Sequence, residues 1–537
     1  MFDVCGGEMF RLLKENIVKD KINFTLFILL STLTWGATLY LPVLNGRLID
    51  LLASRENITT LFQMILVISV VSILNLALSY FIRLLFQKII LKMVKTVNFE
   101  IINHIRNLPL SEVEQMDTAY MTQRITLDSS LISNFLISNS KEFPLKSLSL
   151  IFNVAILMFI NLKIGSMLLI LIPVYIGLFL KFRNRLNRVD FALKESESRC
   201  FEEINSQFVN GKFIKINALK EMFNKKLLLA INDFINHSMI HTKMTALLAN
   251  SGAIITLGAN IIVLIFGIIE IFNDNLTLGE FTIITTYFNM VISSIDYFLG
   301  FFKDYQSAQI SYSRIKEILT KKSEQTGTQQ LDRIKNIKIQ NINFSYNQHS
   351  VIKNFTFILE KGNIYQFSGN NGGGKSTLMK LILGLYDNYT GSITINGVDL
   401  KEINTYHMRR DLVSIVDQEL TVIKGNLQQN IFLDRKPDMS IFSKMSNEFN
   451  LTEDANDDSK LSSLSGGEKQ KINIIRSLVK NAELLILDEA NSALDAESSQ
   501  VLKKMIQNKK ENRITIIISH TDIFSEIIDF DVRLGDH

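Results

Sequence analysis

Cysteine is nearly absent: Cys5 and Cys200 are the only two in 537 residues. That excludes a disulfide framework or a cysteine-ligated zinc cluster, and two inert thiols suit a reducing compartment. Net charge is scarce as well. Lys and Arg number 57 against 53 Asp and Glu, a balance of +4, so no broad basic field argues for nucleic acid. A clean signal-peptide cleavage site is missing too. Arg11, Lys14, Lys19 and Lys21 precede the first apolar run, which is too long for a removable signal and reads as a retained segment. What the chain has in quantity is apolar residues, 47% of the total, with a mean hydropathy of +0.18. At this length two domains are expected, one apolar and one polar.

The apolar part comes first. Runs long enough to cross a bilayer occur at 23–43, 61–82, 145–162, 164–182, 246–269 and 281–302, each about 20 residues. The third and fourth are nearly fused, broken only at Asn161, Leu162 and Lys163. The connections at 83–144 and 183–245 are long, polar and helix-patterned, and they concentrate the basic residues, among them Lys88, Lys92, Arg106, Arg183, Arg188 and Lys212. The positive-inside tendency therefore puts both long connections, and with an even number of spans both termini, in the cytoplasm. Within the sixth span Asp296 stands out, followed at helical spacing by Tyr297, Phe301 and Tyr305. An ionisable group at that depth marks either a wet, cargo-lining face or ordinary interhelical packing.

After Lys316 the character changes. Residues 320–333 read as an exposed linker. Beyond them, short β-type runs (Ile337–Ile342, Ile364–Ser368, Leu484–Leu487, Thr515–Ile518) alternate with helical patterns, the mark of an α/β domain with a largely parallel sheet. The strongest motif is Gly369-Asn370-Asn371-Gly372-Gly373-Gly374-Lys375-Ser376-Thr377. It fits a phosphate-binding loop set between a strand and a helix. Glycines let backbone N–H groups turn toward phosphates, the helix N-terminus adds positive potential, Lys375 reaches the outer phosphates and Ser376 offers oxygen to Mg²⁺. Downstream, Leu484-Leu485-Ile486-Leu487 delivers Asp488 toward the metal, and Glu489 is placed to orient or deprotonate an attacking water.

Between those elements stands Leu464-Ser465-Gly466-Gly467-Glu468-Lys469-Gln470, and it resembles the signature motif of ABC transporters. The other ABC elements follow in order. Tyr346 resembles the aromatic that stacks on adenine, and Gln418 the glutamine that contacts Mg²⁺. Asp495, in Ser492-Ala493-Leu494-Asp495, resembles the loop that meets the opposite subunit. His520 resembles the switch histidine that contacts the γ-phosphate. In the membrane part, Leu108-Pro109-Leu110-Ser111, Arg124 with Asp128, Leu276–Phe281 and Ser313-Arg314-Ile315 are similar to exporter segments. Three features depart from the pattern: Asp417 replaces the usual proline, Glu468 replaces the usual glutamine, and the stretch from Gln418 to Leu464 is short, with no clear Thr-Glu-Val-Gly-Glu-like segment.

The resemblance implies a fold and a partner. The fold is an α-helical six-span membrane domain followed by an α/β P-loop ATPase domain, with boundaries at 1–319, 320–333 (linker) and 334–537. Segments near Pro109–Tyr120 and Gly211–Glu221 would be coupling helices. Ser465, Gly466 and Gly467 of one subunit would close over nucleotide held by Lys375 of another, so a second half-transporter is implied, either an identical copy or a related one. The implied ligands are ATP and Mg²⁺, with no nucleic acid. The setting is the cell membrane and its lipid, with the ATPase domain in the cytoplasm. Cargo is expected to be an antimicrobial or bacteriocin-type peptide or another amphipathic substrate. A lipid or drug flippase is the alternative on the same fold. A soluble ABC ATPase acting on nucleic acid is disfavoured by the apolar runs. No cysteine-protease domain precedes the first span, so a peptide cargo would lose its leader elsewhere.

Overall fold

A computed structural model describes residues 2–116, 121–122, 124–346, 349–370, 372–451, 464–519 and 522–534. By internal contacts the chain divides into two compact units: Met1–Arg106 with Met116–Lys321, and Asn107–Gln115 with Lys322–His537.

The first unit is helical. Its long helices run over Lys21–Ala53, Ile58–Arg106, Ser129–Ile160, Leu162–Val209, Lys220–Phe272 and Leu278–Leu319. They extend well beyond the apolar runs that predict them, because the polar connections continue the same helices. Asn161 takes an extended conformation (φ −149°, ψ 110°) and ends one helix, while its side chain accepts from the Lys163 N–H at 3.1 Å as the next begins. Among the described residues four helices are long and apolar enough to cross a membrane: Lys21–Ala53, Ile58–Arg106, Arg124–Ile160 and Lys220–Phe272. Leu278–Leu319 is comparably long, but its apolar stretch is diluted by Thr, Ser, Asn289 and Asp296.

Burial follows the solvent that such helices meet. Leu66, Ile73, Leu76 and Ile254 remain exposed on the helix exteriors, an arrangement that water would penalise and lipid does not. Inside, Tyr287, Phe288 and Val291 pack with Ala259 and Val263 in one core, and Met93, Val97 and Ile132 pack with Phe135 and Tyr312 in another. The Leu278–Leu319 helix opens with a capping box of Thr277 and Glu280. Asp50 adds a second acceptor there, taking the Gly279 N–H at 2.7 Å and the Thr277 hydroxyl at 3.0 Å. The seam is tight. A Cβ on Gly279 would lie 2.2 Å from the Gly46 carbonyl oxygen.

The second unit holds two sheets. The five-stranded one has the order β6-β7-β8-β3-β9, from β6 (Val413–Val416), β7 (Leu484–Asp488), β8 (Ile514–Ile518), β3 (Ile364–Gly369) and β9 (Phe530–Leu534), all neighbours parallel. Both β7 and β8 are buried throughout, which is why they read as unbroken aliphatic runs rather than alternating ones. The other sheet is antiparallel, in the order β2-β1-β4-β5, from β1 (Asn336–Tyr346), β2 (His349–Glu360), β4 (Thr390–Ile395) and β5 (Val398–Asp399). The Ile337–Ile342 run therefore belongs to a separate antiparallel sheet, where sequence suggested one largely parallel one. The physical reason is the tight β1–β2 pairing, with Tyr346 opposite His349.

Residues 320–333 are mostly exposed and irregular, but they are anchored at two points. Glu324 is half-buried and held by both terminal Arg409 nitrogens at 2.8 and 3.1 Å, and Gln329 forms a bridge with Ile403. Asn107–Gln115, within the segment read as a coupling helix, packs with the second unit.

Candidate functional site

The loop after β3 turns into the Lys375–Ile382 helix at Gly374, whose φ of 88° is a left-handed value that glycine adopts without penalty. Lys375 is the first residue of that helix and only 8% exposed. Its ammonium donates to the Gly369 and Asn370 carbonyls at 2.8 and 3.0 Å, so it lies across the loop rather than away from it. The adjacent Ser376 hydroxyl donates to Asp488 Oδ2 at 3.0 Å, joining the loop to the end of β7. Tyr346, at the end of β1, brings its hydroxyl within 3.4 Å of the Thr377 hydroxyl.

Asp488 is 5% exposed. Burial raises its carboxyl above the ordinary range; the Ser376 hydrogen bond opposes this, while Asp417 and Glu489 raise it further and Lys375 lowers it. The Asp417 and Glu489 charges acting on the buried Asp488 carboxyl make a strongly negative, oxygen-rich corner beside the exposed Ser376 hydroxyl. Glu489, directly after β7, holds φ 51°, an uncommon conformation for a non-glycine residue and one concentrated at functional sites. Its N–H donates to the Ile518 carbonyl at 2.9 Å, and its Oε2 accepts from Gln418 Nε2 at 3.2 Å. Gln418, Glu489, Asp488, Ser376 and Lys375 are thus linked in space.

Hard divalent cations such as Mg²⁺ favour oxygen, and they take few protein ligands when phosphates supply the rest. Ser376, Asp488 and the Gln418 amide fit that demand. Among the described residues no group of three or more His, Cys, Asp or Glu forms an all-protein metal cage.

Ser465 caps the Gly466–Val479 helix in a reciprocal box: its hydroxyl accepts the Glu468 N–H, and Glu468 Oε2 accepts the Ser465 N–H at 2.8 Å and hydroxyl at 2.7 Å. Those bonds hold the Glu468 carboxyl below its ordinary range. Glutamine could make the same box, so the departure at 468 adds a charge without losing a cap. This helix is tied to the segment following Glu489. Gln470 donates to the Ala490 carbonyl at 2.7 Å, and Lys471 pairs with Asp495 at 2.8 Å. Asp495 also caps its own helix through the Ser498 N–H at 2.7 Å, and the ion pair and cap hold it far below the usual carboxylate range. Gly372 and Gly373 lie in the loop as expected. Asn371, His520 and residues 452–463, just ahead of the signature, lie outside the described residues. Tyr386, whose ring meets Tyr346 edge-on at 5.7 Å, was missed in the sequence because no motif marks it.

The comparisons agree with this geometry. A family model described as ABC transporter transmembrane region matches residues 24–295, and one described as ABC transporter matches 352–492. A Rickettsia bellii protein, provisionally named an export ATP-binding/permease protein, is 26% identical over 89% of this chain and 84% of its own. A Bacillus subtilis protein, provisionally named a multidrug export ATP-binding/permease protein, is 24% identical over 92% and 89%. Among solved structures, a bacterial Atm1-family ABC exporter with ATP bound superposes with a TM-score of 0.86 at 17% identity, covering 97% of this chain and 94% of that one, a likeness of fold. A membrane region and an ATP-binding region joined in this order place the chain in the ABC transporter family, as an exporter that hydrolyses ATP to drive transport across a membrane.

Proposed function

We propose that the chain works as a dimer, with itself or with a related half, and exports a peptide. The observation that carries the nucleotide half of this reading is the chain of contacts from Lys375 through Ser376 and Asp488 to Glu489 and Gln418. In it, Lys375 and the loop N–H groups from Gly369 to Thr377 hold the ATP phosphates, and Tyr346 stacks on adenine. Ser376, Asp488 and Gln418 would hold Mg²⁺, which would neutralise phosphate charge. Glu489 takes the proton of the attacking water, and His520 contacts the terminal phosphate. Ser465, Gly466 and Gly467 close over the nucleotide of the second subunit, with Asp495 in the loop beside them. ATP closes the pair and hydrolysis releases it, because ATP and ADP differ in affinity for the closed state.

The peptide reading is supported by a cavity of about 610 Å³ in the first unit, lined by Leu186, Thr245, Asn260, Asp296, Gly300 and Lys303 among others. Asp296 and Lys303 stand seven residues apart on one helix, a rise of about 10 Å. An apolar wall carrying one carboxylate and one ammonium suits a short amphipathic chain with an amine and a carboxylate of its own. The multidrug name of one relative favours a second reading, a drug or lipid exporter. ATPase stimulation in lipid nanodiscs, screened with peptides against lipids and cationic drugs, separates the two. Stimulation by lipids or drugs but by no peptide would overturn the peptide reading.

A further inference from the structure

The geometry points to Glu114 as a positioning residue that sets the nucleotide-base platform from the loop joining two membrane helices. Glu114 ends the short Leu110–Glu114 helix. One carboxylate oxygen accepts from Lys380 Nζ at 2.9 Å, and the other from the Tyr386 hydroxyl at 2.7 Å. Both partners belong to the nucleotide site's own scaffold. Lys380 lies on the helix that begins with Lys375. The Tyr386 ring stands at 87° to the Tyr346 ring, centroids 5.7 Å apart, and packs on Phe344 at 5.4 Å.

The two contacts are not equal. Lys380 and Glu114 keep 34% and 45% of their side chains exposed, so their ion pair is a screened surface pair of small effect. Tyr386 is 3% exposed, and its hydroxyl donates to an ionised carboxylate, the stronger kind of hydrogen bond. Burial works against the Glu114 charge, but the bonds from Lys380 and Tyr386 outweigh it and hold the carboxyl below its ordinary range. Burial, then Tyr346 and Glu114, push the Tyr386 phenol far upward, so it stays a donor across the working pH range. A fixed hydroxyl fixes the ring, and an edge-on ring fixes the face that Tyr346 presents. Movement of the 107–115 loop would therefore be felt first as a change in base stacking, with the phosphate loop undisturbed.

The inference rests on the reading that Tyr346 stacks on adenine, and the test separates the two. The full chain in nanodiscs is assayed for ATPase kinetics and for competitive inhibition by inorganic tripolyphosphate, which has phosphates and no base. Glu114→Ala, which removes both acceptor oxygens, is expected to raise KM for ATP about threefold to tenfold, the effect of losing the Tyr386 hydrogen bond. Its kcat should hold within about twofold and tripolyphosphate inhibition should not change. Tyr386→Phe should reproduce this, the double variant should add nothing, and Lys380→Met should have a smaller effect. An unaltered KM in Glu114→Ala, equal weakening of tripolyphosphate, or additive effects in the double variant would overturn the inference. Tyr346→Ala is the control. If it leaves KM for ATP unchanged, the adenine reading itself fails; if it raises KM while Glu114→Ala does not, only the role of Glu114 fails.

Discussion

Replacing Glu489 by Gln is expected to lower kcat for ATP about 10²- to 10⁴-fold while leaving KM within about twofold. The structure makes this substitution unusually clean. The backbone at 489 is held at φ 51° and pinned by the Ile518 carbonyl at 2.9 Å, and neither feature depends on the side chain. The Gln418 amide needs one acceptor oxygen at 489, and glutamine still supplies it. Only the ionisable oxygen is lost. The expected loss corresponds to about 2.7–5.5 kcal/mol of barrier, whereas weakening one neutral-donor hydrogen bond accounts for about 1 kcal/mol, so the two explanations differ measurably. Phosphate release by the full chain in nanodiscs gives kcat and KM, and titration with a fluorescent nucleotide checks binding. Glu489→Asn is the companion, since asparagine tolerates the left-handed backbone better than glutamate; it should be equally inactive despite the eased strain. Retention of more than a tenth of wild-type kcat in Glu489→Gln, or clearly higher activity in Glu489→Asn, would refute the base assignment.

Lys375→Ala should weaken nucleotide binding at least tenfold in a direct titration, because the loop loses its one ammonium; unchanged affinity would contradict the phosphate-loop reading. Glu468→Gln keeps the capping box but removes a negative charge from a helix N-terminus meant to face phosphate, so KM for ATP should fall about twofold to fivefold; a rise would show that the carboxylate itself is needed. Burial pulls the Lys480 ammonium down to about 8 from 10.5. Between those values the unfolded chain binds a proton that the folded chain has released, so stability should climb with pH relative to Lys480→Met. Thermal melts of the two proteins from pH 7.5 to 10.5 read that difference, and parallel curves would show that Lys480 titrates normally.

How much of this was legible in the sequence depends on whether a feature is local. Span length and the order of Lys375, Ser465, Asp488 and Glu489 are linear properties, and they point directly to the membrane helices and to the proposed ATP site. The antiparallel sheet was not legible, because Ile337–Ile342 reads alike in either kind of sheet and only its partners decide. Nor does anything near Glu114 announce a tie to Tyr386, 272 residues on. The Glu468 departure is ambiguous as a motif and becomes intelligible only once Ser465 is seen to share its cap. The packing of Glu324 on Arg409 escaped notice for the opposite reason, since its composition is that of a free linker.

The seam where Gly46 meets Gly279 has room for a hydrogen atom and little else. Asp50 and the amide it accepts satisfy each other there, so separating the two helices at this point leaves an anion and a donor each in need of a new partner. Both groups lie just outside the apolar runs at 23–43 and 281–302, so water is the partner at hand. The crack can therefore widen only by wetting as it widens, and a bulky side chain at either glycine would hold it wet.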